Sequence, residues 1–363
     1  LAGRVYNEID QRLVRSRPFR QLLNLSTRWL NLDSLTGHET GYASVDAIYR
    51  DVDAAVAAFL KKSKSKAPDT VYCYEDGALR TFFAAKELGI KRVYHLPIPY
   101  WKPLHEIYHA EAEISPDWAS TLVGLRDSAA KLERKAHEID LASSLVAASS
   151  FTMNSIPKRI LANKSVTVAP YGGPRRELGT RSIRRAGEPI KLLFAGHLSQ
   201  RKGISYLIEA CNSLSVPWTL TIAGVRMPQS PKQLDDFLLD DRCDWLGHVP
   251  RERLLRLMNS HHLLVFPSIA EGFGMVISEA LASGLPVITT NHTAAPDLFE
   301  NGCAGFIHPI REPELMAESI ERLYNDESLR QQMAVDARRV SEKVSWDSYY
   351  KQVSDLLFRN DAQ

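Results

Sequence analysis

The stretch Glu271-Gly-Phe-Gly-Met-Val-Ile-Ser-Glu279 places two carboxylates eight positions apart around a turn that leads into a helix, between the apolar runs Leu263-Leu-Val-Phe266 and Leu285-Pro-Val-Ile288. Gly272 and Gly274 keep side chains out of that turn. The first N–H groups of a helix predicted over Met275–Ser283 can then meet an anion at the positive end of the helix dipole. Were the whole stretch helical, the carboxylates would lie about 12 Å apart along the axis and about 80° apart around it. A ligand that touches both must be long, with hydroxyls at each end and negative charge between. A nucleoside diphosphate sugar has that shape.

A second anion-binding candidate, Gly196-His-Leu-Ser-Gln-Arg201-Lys202-Gly203, follows the apolar run Lys191–Ala195 and opens the next helical segment. Two cations at the start of a helix oppose its dipole. They form either a solvated surface pair or the grip on a diphosphate, where each charge-assisted contact is worth about 1.5–3 kcal/mol.

The elements that must position these residues read as α/β. From Lys191 onward, short apolar runs at Lys191–Ala195, Trp218–Ala223, His262–Phe266, Leu285–Thr289 and Gly305–Ile307 alternate with helix-period segments at Ile204–Leu214, Arg251–Ser260, Met275–Ser283, Glu312–Asn325 and Glu327–Lys343. That is how a parallel sheet flanked by helices reads. The first half repeats the alternation: strands at Thr70–Tyr74, Arg92–His95, Ser144–Ala147 and Ser165–Val168, helices at Ala78–Leu88, Leu104–Glu113 and Ser128–Ile139. The segment Ala2–Leu60 has helix-like patterning without the strand and glycine turn that normally open a doubly wound domain. The polar stretch from Pro174 to Pro189 has no hydrophobic period and reads as a linker. The expected organisation is an N-terminal Rossmann-like domain over 1–173 lacking its first strand, a linker over 174–190, a nucleotide-binding domain over 191–343 and a closing helix over 344–363.

The chain of 363 residues is long enough for two cores, and 45 basic against 43 acidic side chains argue against a dedicated nucleic-acid binder. Cys73, Cys211, Cys243 and Cys303 lie far apart with no CxxC pair, so neither a disulfide framework nor a cysteine zinc site is indicated. The cysteine pattern fits a reducing cytosol; no apolar run is long enough to span a bilayer and no signal peptide is evident, but the absent initiator Met leaves room for an upstream piece.

Together the Arg201-Lys202-Gly203 and Glu271–Glu279 motifs resemble those of the retaining glycosyltransferases of family 4, whose GT-B fold sets two Rossmann-like domains with parallel sheets face to face across a cleft. The likeness covers most of Lys191–Leu357. It implies Glu271 near the donor sugar, Glu279 on the ribose hydroxyls, Phe273, Gly274 and Met275 lining sugar and phosphates, and Lys202 on the diphosphate. Many members carry Arg directly after the glycine that ends the strand; here that place holds His197, and Arg201 takes the arginine's part. Val168-Ala-Pro-Tyr-Gly-Gly173 resembles the family's turn before the linker. Leu246-Gly-His-Val-Pro250, with His248 and Val249, resembles the loop that holds the base. Val344-Ser-Trp346 and the helix after it resemble the terminal helix that crosses back to the first domain. Tyr74-Glu-Asp-Gly-Ala-Leu79 and Val93–Trp101 are similar to a bacterial subgroup, and His95 falls where the family often places a histidine that helps hold the donor sugar; a structural histidine is the other reading.

The expected activity is transfer of a hexosyl-type sugar from a nucleoside diphosphate to a hydroxyl of a glycan, a lipid-linked glycan or a small molecule, with retention and without a metal or other cofactor. Glu271, Lys202, Arg201 and His95 are the catalytic candidates. Gly196, His197, Gly272, Phe273, Gly274, Met275, Glu279, His248 and Val249 are the donor-binding ones. Glu75 and Asp76 read either as acceptor-side carboxylates or as caps of the helix that begins at Ala78. A sugar-nucleotide epimerase, a phosphorylase and a non-catalytic nucleotide-sugar binding subunit are the alternatives. His105-Glu106-Ile-Tyr-His109 matches the HExxH pattern of zinc metallopeptidases, without the longer arrangement that makes that motif convincing. Arg12, Arg15, Arg17, Arg20 and Arg28 interleave with apolar residues, and Lys61, Lys62, Lys64 and Lys66 follow. This stretch reads as a solvated surface or as a peripheral contact at the inner face of a membrane.

Overall fold

The computed structural model describes residues 10–30, 33–63, 67–174, 184–185 and 187–358, with the backbone alone at 11, 28–30 and 33. Most of the linker 174–190, Lys64, Lys66 and the side chain of Arg28 therefore lie outside the described residues. The chain divides into two compact units, residues 1–94 with 128–142 and residues 95–127 with 143–363.

The elements in chain order are α1 (Pro18–Leu30), α2 (Val45–Ser63), β1 (Thr70–Tyr74), α3 (Leu79–Glu87), β2 (Lys91–Leu96), α4 (Trp101–Ile114), α5 (Ala129–Leu141), β3 (Ser144–Ala147), α6 (Ser150–Asn154), α7 (Lys158–Leu161) and β4 (Ser165–Val168). There follow β5 (Ile190–Ala195), α8 (Ile204–Ser213), β6 (Trp218–Ala223), α9 (Lys232–Leu238), β7 (Cys243–Gly247), α10 (Arg251–Ser260), β8 (Leu263–Phe266) and α11 (Met275–Ala282). The chain continues with β9 (Val287–Thr290), α12 (Ala295–Leu298), β10 (Gly305–His308), α13 (Pro313–Asn325), α14 (Glu327–Ser341) and α15 (Trp346–Phe358). The strands form a four-stranded sheet in the order β1-β2-β3-β4 and a six-stranded sheet in the order β10-β9-β8-β5-β6-β7. Every pair in the second sheet is parallel, with Leu193 opposite both Thr221 of β6 and Leu264 of β8. Among the described residues no helix is long and apolar enough to cross a membrane.

A parallel sheet covered on both faces needs strands that are apolar throughout. All residues of β8 and β9 are buried, and in β5 Lys191 alone is exposed. β7 sits at the edge and is half-buried, with Trp245 exposed, so its sequence lacks the apolar run by which its neighbours are read. α11 is buried from Val276 through Ala282. A helix apolar all round belongs in a core; Glu279 inside it is the exception that calls for a partner.

In the first unit, α3 begins without a side-chain cap of its own. Its first N–H groups are met by carboxylates from elsewhere in the unit. Glu138 of α5 accepts from the N–H groups of Asp76 at 2.9 Å, Ala78 at 3.0 Å and Leu79 at 3.2 Å, and from the Tyr94 hydroxyl at 2.9 Å. Asp53 of α2 accepts from the N–H groups of Arg80 at 2.9 Å and Thr81 at 2.8 Å. The capping role that the sequence suggested for Glu75 and Asp76 is thus filled by Glu138 and Asp53. Replacing Glu138 by Ala strands these donors in the interior and is expected to lower stability by about 2–4 kcal/mol. Urea unfolding measures this, and an unchanged midpoint would contradict the role.

Candidate functional site

The chain leaves β5 toward β6 on one side and reaches β8 on the other, so the strand order reverses between β5 and β8. In open α/β sheets ligands bind beyond the carboxyl ends of the strands at that point. The segment Gly196–Gly203 follows β5 there and Pro267–Gly274 follows β8. Both motifs picked out from the sequence therefore meet at the switch point.

Their meeting is an ion cluster. Glu271 Oε1 accepts from Arg201 Nη1 at 2.6 Å and, more closely still, from Lys202 Nζ, with Ser268 Oγ 3.0 Å away. Lys202 also lies over the Phe266 ring, 4.8 Å from its centroid. Glu271 and Lys202 are buried and Arg201 is half-buried. Burial raises the Glu271 carboxyl, but the two cations outweigh it and hold the group below its ordinary range. Burial draws the Lys202 ammonium down, opposed by Glu271. Two cations share one carboxylate, so the cluster carries a net positive charge. All three donors go to Oε1; Oε2 receives none among the described residues.

The turn after Glu271 is held from several sides. Its N–H donates to the His292 carbonyl at 2.9 Å, the Phe273 carbonyl accepts from the Ala294 N–H at 3.0 Å, and the Gly272 carbonyl accepts from Ser149 Oγ at 2.6 Å and Thr152 Oγ1 at 3.2 Å. A Cβ on Gly272 would lie 1.6 Å from the Pro97 carbonyl oxygen, so no other residue fits there. Gly274 has a φ of 87°, in the left-handed region. Among the described residues no acceptor meets the N–H groups of Gly272, Phe273, Gly274, Met275 or Val276. Five successive amides without acceptors lie at the start of a helix, where the dipole favours negative charge, and the cluster of Arg201 and Lys202 adjoins them through Glu271.

Beside the switch point lies a pocket of about 250 Å³. Gly196 and His197 after β5, Gly224 after β6, His248 and Val249 after β7 and Val276 of α11 line it. His248, Val249, Gly196 and His197, assigned to the donor from sequence, thus share one cavity with the start of α11. Glu279 is buried and accepts from Arg251 Nε at 2.9 Å, while its Oε2 has no donor among the described residues. Arg251, largely exposed at the start of α10, carries no motif and is missed by sequence reasoning. Ser149 and Thr152 are missed too, since they act through the Gly272 carbonyl far along the chain, and so is Ser268, which lies three residues before Glu271 but belongs to neither motif.

His95 at the end of β2 is fully buried, with Nε2 2.9 Å from the Tyr171 hydroxyl and its ring against those of Tyr171 and Tyr349. Tyr171 in turn packs edge-on against Phe273 at 5.3 Å and stacks on Trp346. The terminal helix α15 is thereby tied to the turn after Glu271. Glu75 and Asp76 are drawn toward α5: Lys135 Nζ lies 3.8 Å from Glu75 and 3.6 Å from Asp76, and Arg134 donates to Asp76 at 3.0 Å. His105 and His109 sit on α4 with ring centroids 6.3 Å apart. Among the described residues no group of three metal-ligating side chains includes them or Glu106.

Burial pushes His95 down to about 4 from an ordinary 6.5. Between these values the unfolded chain binds a proton that the folded chain refuses, so stability is full above about pH 6.5 and falls as the pH drops toward 4. The loss attributable to His95 is on the order of 3 kcal/mol. Denaturant unfolding across this range should be flatter in His95→Gln; an unaltered pH slope would contradict the assignment.

Residues 176–340 match the family described as glycosyl transferases group 1. A capsular polysaccharide biosynthesis glycosyltransferase, CapM of Staphylococcus aureus, is 42% identical over 170 residues, which are 45% of this chain and 44% of that one. The chain spans about half the length of the curated relatives it matches. Sucrose-phosphate synthase from Thermosynechococcus elongatus superposes with a TM-score of 0.65 at 16% identity, over 88% of this chain and 80% of that one. Anabaena Alr3699/HepE, solved in complex with UDP and glucose, superposes with a TM-score of 0.62 at 19% identity, over 84% and 81%. The chain has the GT-B fold, and its residues 176–340 carry the match to glycosyl transferases group 1.

Proposed function

We propose that the protein is a glycosyltransferase that moves a hexosyl-type sugar from a nucleoside diphosphate to an acceptor hydroxyl, with retention at the anomeric carbon. The observation that carries this reading is the net positive cluster of Arg201, Lys202 and Glu271 beside five acceptor-free amides at the switch point. Residues 191–343 form the donor side, with the base in the pocket lined by His197, His248 and Val249 and the ribose on Glu279. Residues 1–173 supply the acceptor side, with Glu75 and Asp76 as its carboxylates. UDP and glucose bound in the Anabaena neighbour, and the capsular polysaccharide role in the name of the Staphylococcus relative, support a nucleotide-sugar donor and a glycan or lipid-linked glycan acceptor. The reaction belongs in the cytoplasm, at the inner face of the membrane.

The chemistry is departure of the leaving group. As the bond from the anomeric carbon to the phosphate oxygen breaks, its electron pair settles on the diphosphate. Arg201, Lys202 and the amides of Gly272–Val276 face that charge already aligned, and preorganised donors stabilise it more in the transition state than in the ground state. The acceptor oxygen bonds to the anomeric carbon on the same face, and its proton passes to the departing phosphate oxygen. Glu271, through Oε2, orients the sugar and offsets positive charge at the ring, while His95 holds the sugar side through the packing of Tyr171 on Phe273. These cationic groups perform the work of a metal ion, so chelator should leave the rate unchanged.

Lys202→Ala is expected to lower turnover on the order of 10²-fold, as removal of one preorganised donor does. Glu279→Ala should weaken binding of the free nucleoside diphosphate with a smaller effect on turnover at saturation. Steady-state kinetics and calorimetry separate the two. Unchanged transfer in the first variant, or unchanged affinity in the second, removes that residue from its role. A thermal-shift screen against UDP-, GDP- and ADP-sugars identifies the donor, because a ligand stabilises the folded state in proportion to its occupancy.

A further inference from the structure

Helix α1 is turned opposite to an ordinary surface helix. It buries Asn24 and Thr27 and exposes Phe19, Leu22 and Leu25, which are 67%, 47% and 39% accessible. Asn24 Nδ2 donates to the Ala43 carbonyl at 2.7 Å, which fixes the polar side inward, and Thr27 Oγ1 bonds within the helix to the Asn24 carbonyl at 2.9 Å. Residues spaced by three lie on one face of a helix, so the three apolar side chains form a stripe. Leu13 and Val14, both exposed, precede it. Water is the wrong neighbour for such a face.

The charge of the segment says what the right neighbour is. Residues 11–30 hold five arginines and no Asp or Glu. A second copy of the chain docked face to face would set these arginines against each other. An anionic bilayer takes both the apolar stripe and the charge.

A pocket in the same unit adds a specific seat. It measures about 440 Å³ and is lined by Arg20, Arg50 and Arg80 with Asp51 and Tyr42 among their neighbours. Asp51 is already taken by Arg17, which donates to it at 2.6 and 3.0 Å. Arg20 lies over the Tyr42 ring, 4.0 Å from its centroid, and Arg50 donates to the Glu39 carbonyl at 2.9 Å. Among the described residues the guanidinium of Arg80 has no acceptor, although its backbone N–H is bound by Asp53. Asp51 is the one carboxylate among the lining residues, paired with Arg17 and more distantly with Arg20 at 4.0 Å, so three guanidinium groups line the pocket with charge to spare, and they match a phosphate in charge and in fork geometry.

We propose that α1 and the residues just before it lie on an anionic phospholipid bilayer, with Phe19, Leu22 and Leu25 among the acyl chains and a lipid phosphate in the pocket of Arg20, Arg50 and Arg80. This goes beyond sugar transfer and does not depend on it. It gives a peripheral membrane contact a defined surface, and Arg20 belongs to both halves of that surface.

The test is sedimentation of the full chain with vesicles of phosphatidylcholine and with vesicles rich in phosphatidylglycerol. Binding is expected only to the second, and to weaken with salt. Phe19→Ser with Leu22→Ser removes exposed side chains, leaves the fold intact and should cut partitioning by more than about tenfold. Arg80→Gln should cut it about fivefold. Millimolar inorganic phosphate should leave the protein on the vesicles. Absence of sedimentation, or equal binding by the double Ser variant, overturns the proposal. So does a pocket that takes inorganic phosphate while vesicles are ignored, since the ligand is then a soluble phosphate. A dimer that the double Ser variant dissolves, again without vesicle binding, gives the face to a second copy and equally overturns it. UDP affinity, read by calorimetry on the same variants, should not move. Its absence in the unaltered protein would count against the donor site alone.

Discussion

Everything in the proposed site depends on one buried carboxylate holding two cations. Glu271 draws Arg201 and Lys202 to a single oxygen in a place where burial opposes the charge of all three. Removing charged groups from water costs several kcal/mol per ion, and mutual attraction recovers that only where geometry is close and donors are matched. Here they are close but not matched. One positive charge is left over, around a carboxylate that directly precedes the amides that also lack acceptors. Such an arrangement is poor economy for stability alone and is what a site prepared for an anion requires.

The rest of the second unit serves that geometry. The reversal of strand order between β5 and β8 brings the loop bearing the cations beside the loop bearing the carboxylate. Ser149 and Thr152 hold the Gly272 carbonyl, and the absent side chain at Gly272 lets Pro97 approach. Phe273 then anchors the turn through Tyr171 to Trp346, Tyr349 and His95. The helix that begins there is buried almost throughout, so its amides cannot swing away from the anion site.

The sequence was most legible where burial is complete. Strands such as β8 and β9 read as apolar runs because both faces are covered, and the boundaries of Trp218–Ala223 and Arg251–Ser260 agree with the structure. The edge strand β7 carries no strand signal in the sequence, because Cys243, Asp244 and Trp245 meet solvent on an open side and show no apolar run. α9 likewise lacks a legible pattern, being short and rich in charge. The pairing of Arg201 and Lys202 with the Glu271 turn was legible as two motifs, but the carboxylate as the clamp between the cations was not. Contacts such as Arg251 to Glu279, Glu138 to the start of α3 and Ser149 to Gly272 join residues far apart in the chain, and no local pattern encodes them. α1 shows the opposite failure: its amphipathic spacing is plain, yet the pattern alone does not say which face is turned outward.

A crystal structure of the complex with UDP shows whether the net positive cluster and the acceptor-free amides form one seat for a diphosphate. Phosphate oxygens are expected within hydrogen-bond distance of Lys202 Nζ and of the N–H groups between Gly272 and Val276, with the base in the pocket beside His248. Phosphates bound elsewhere, with Lys202 still closed on Glu271 and those amides unengaged, would contradict it.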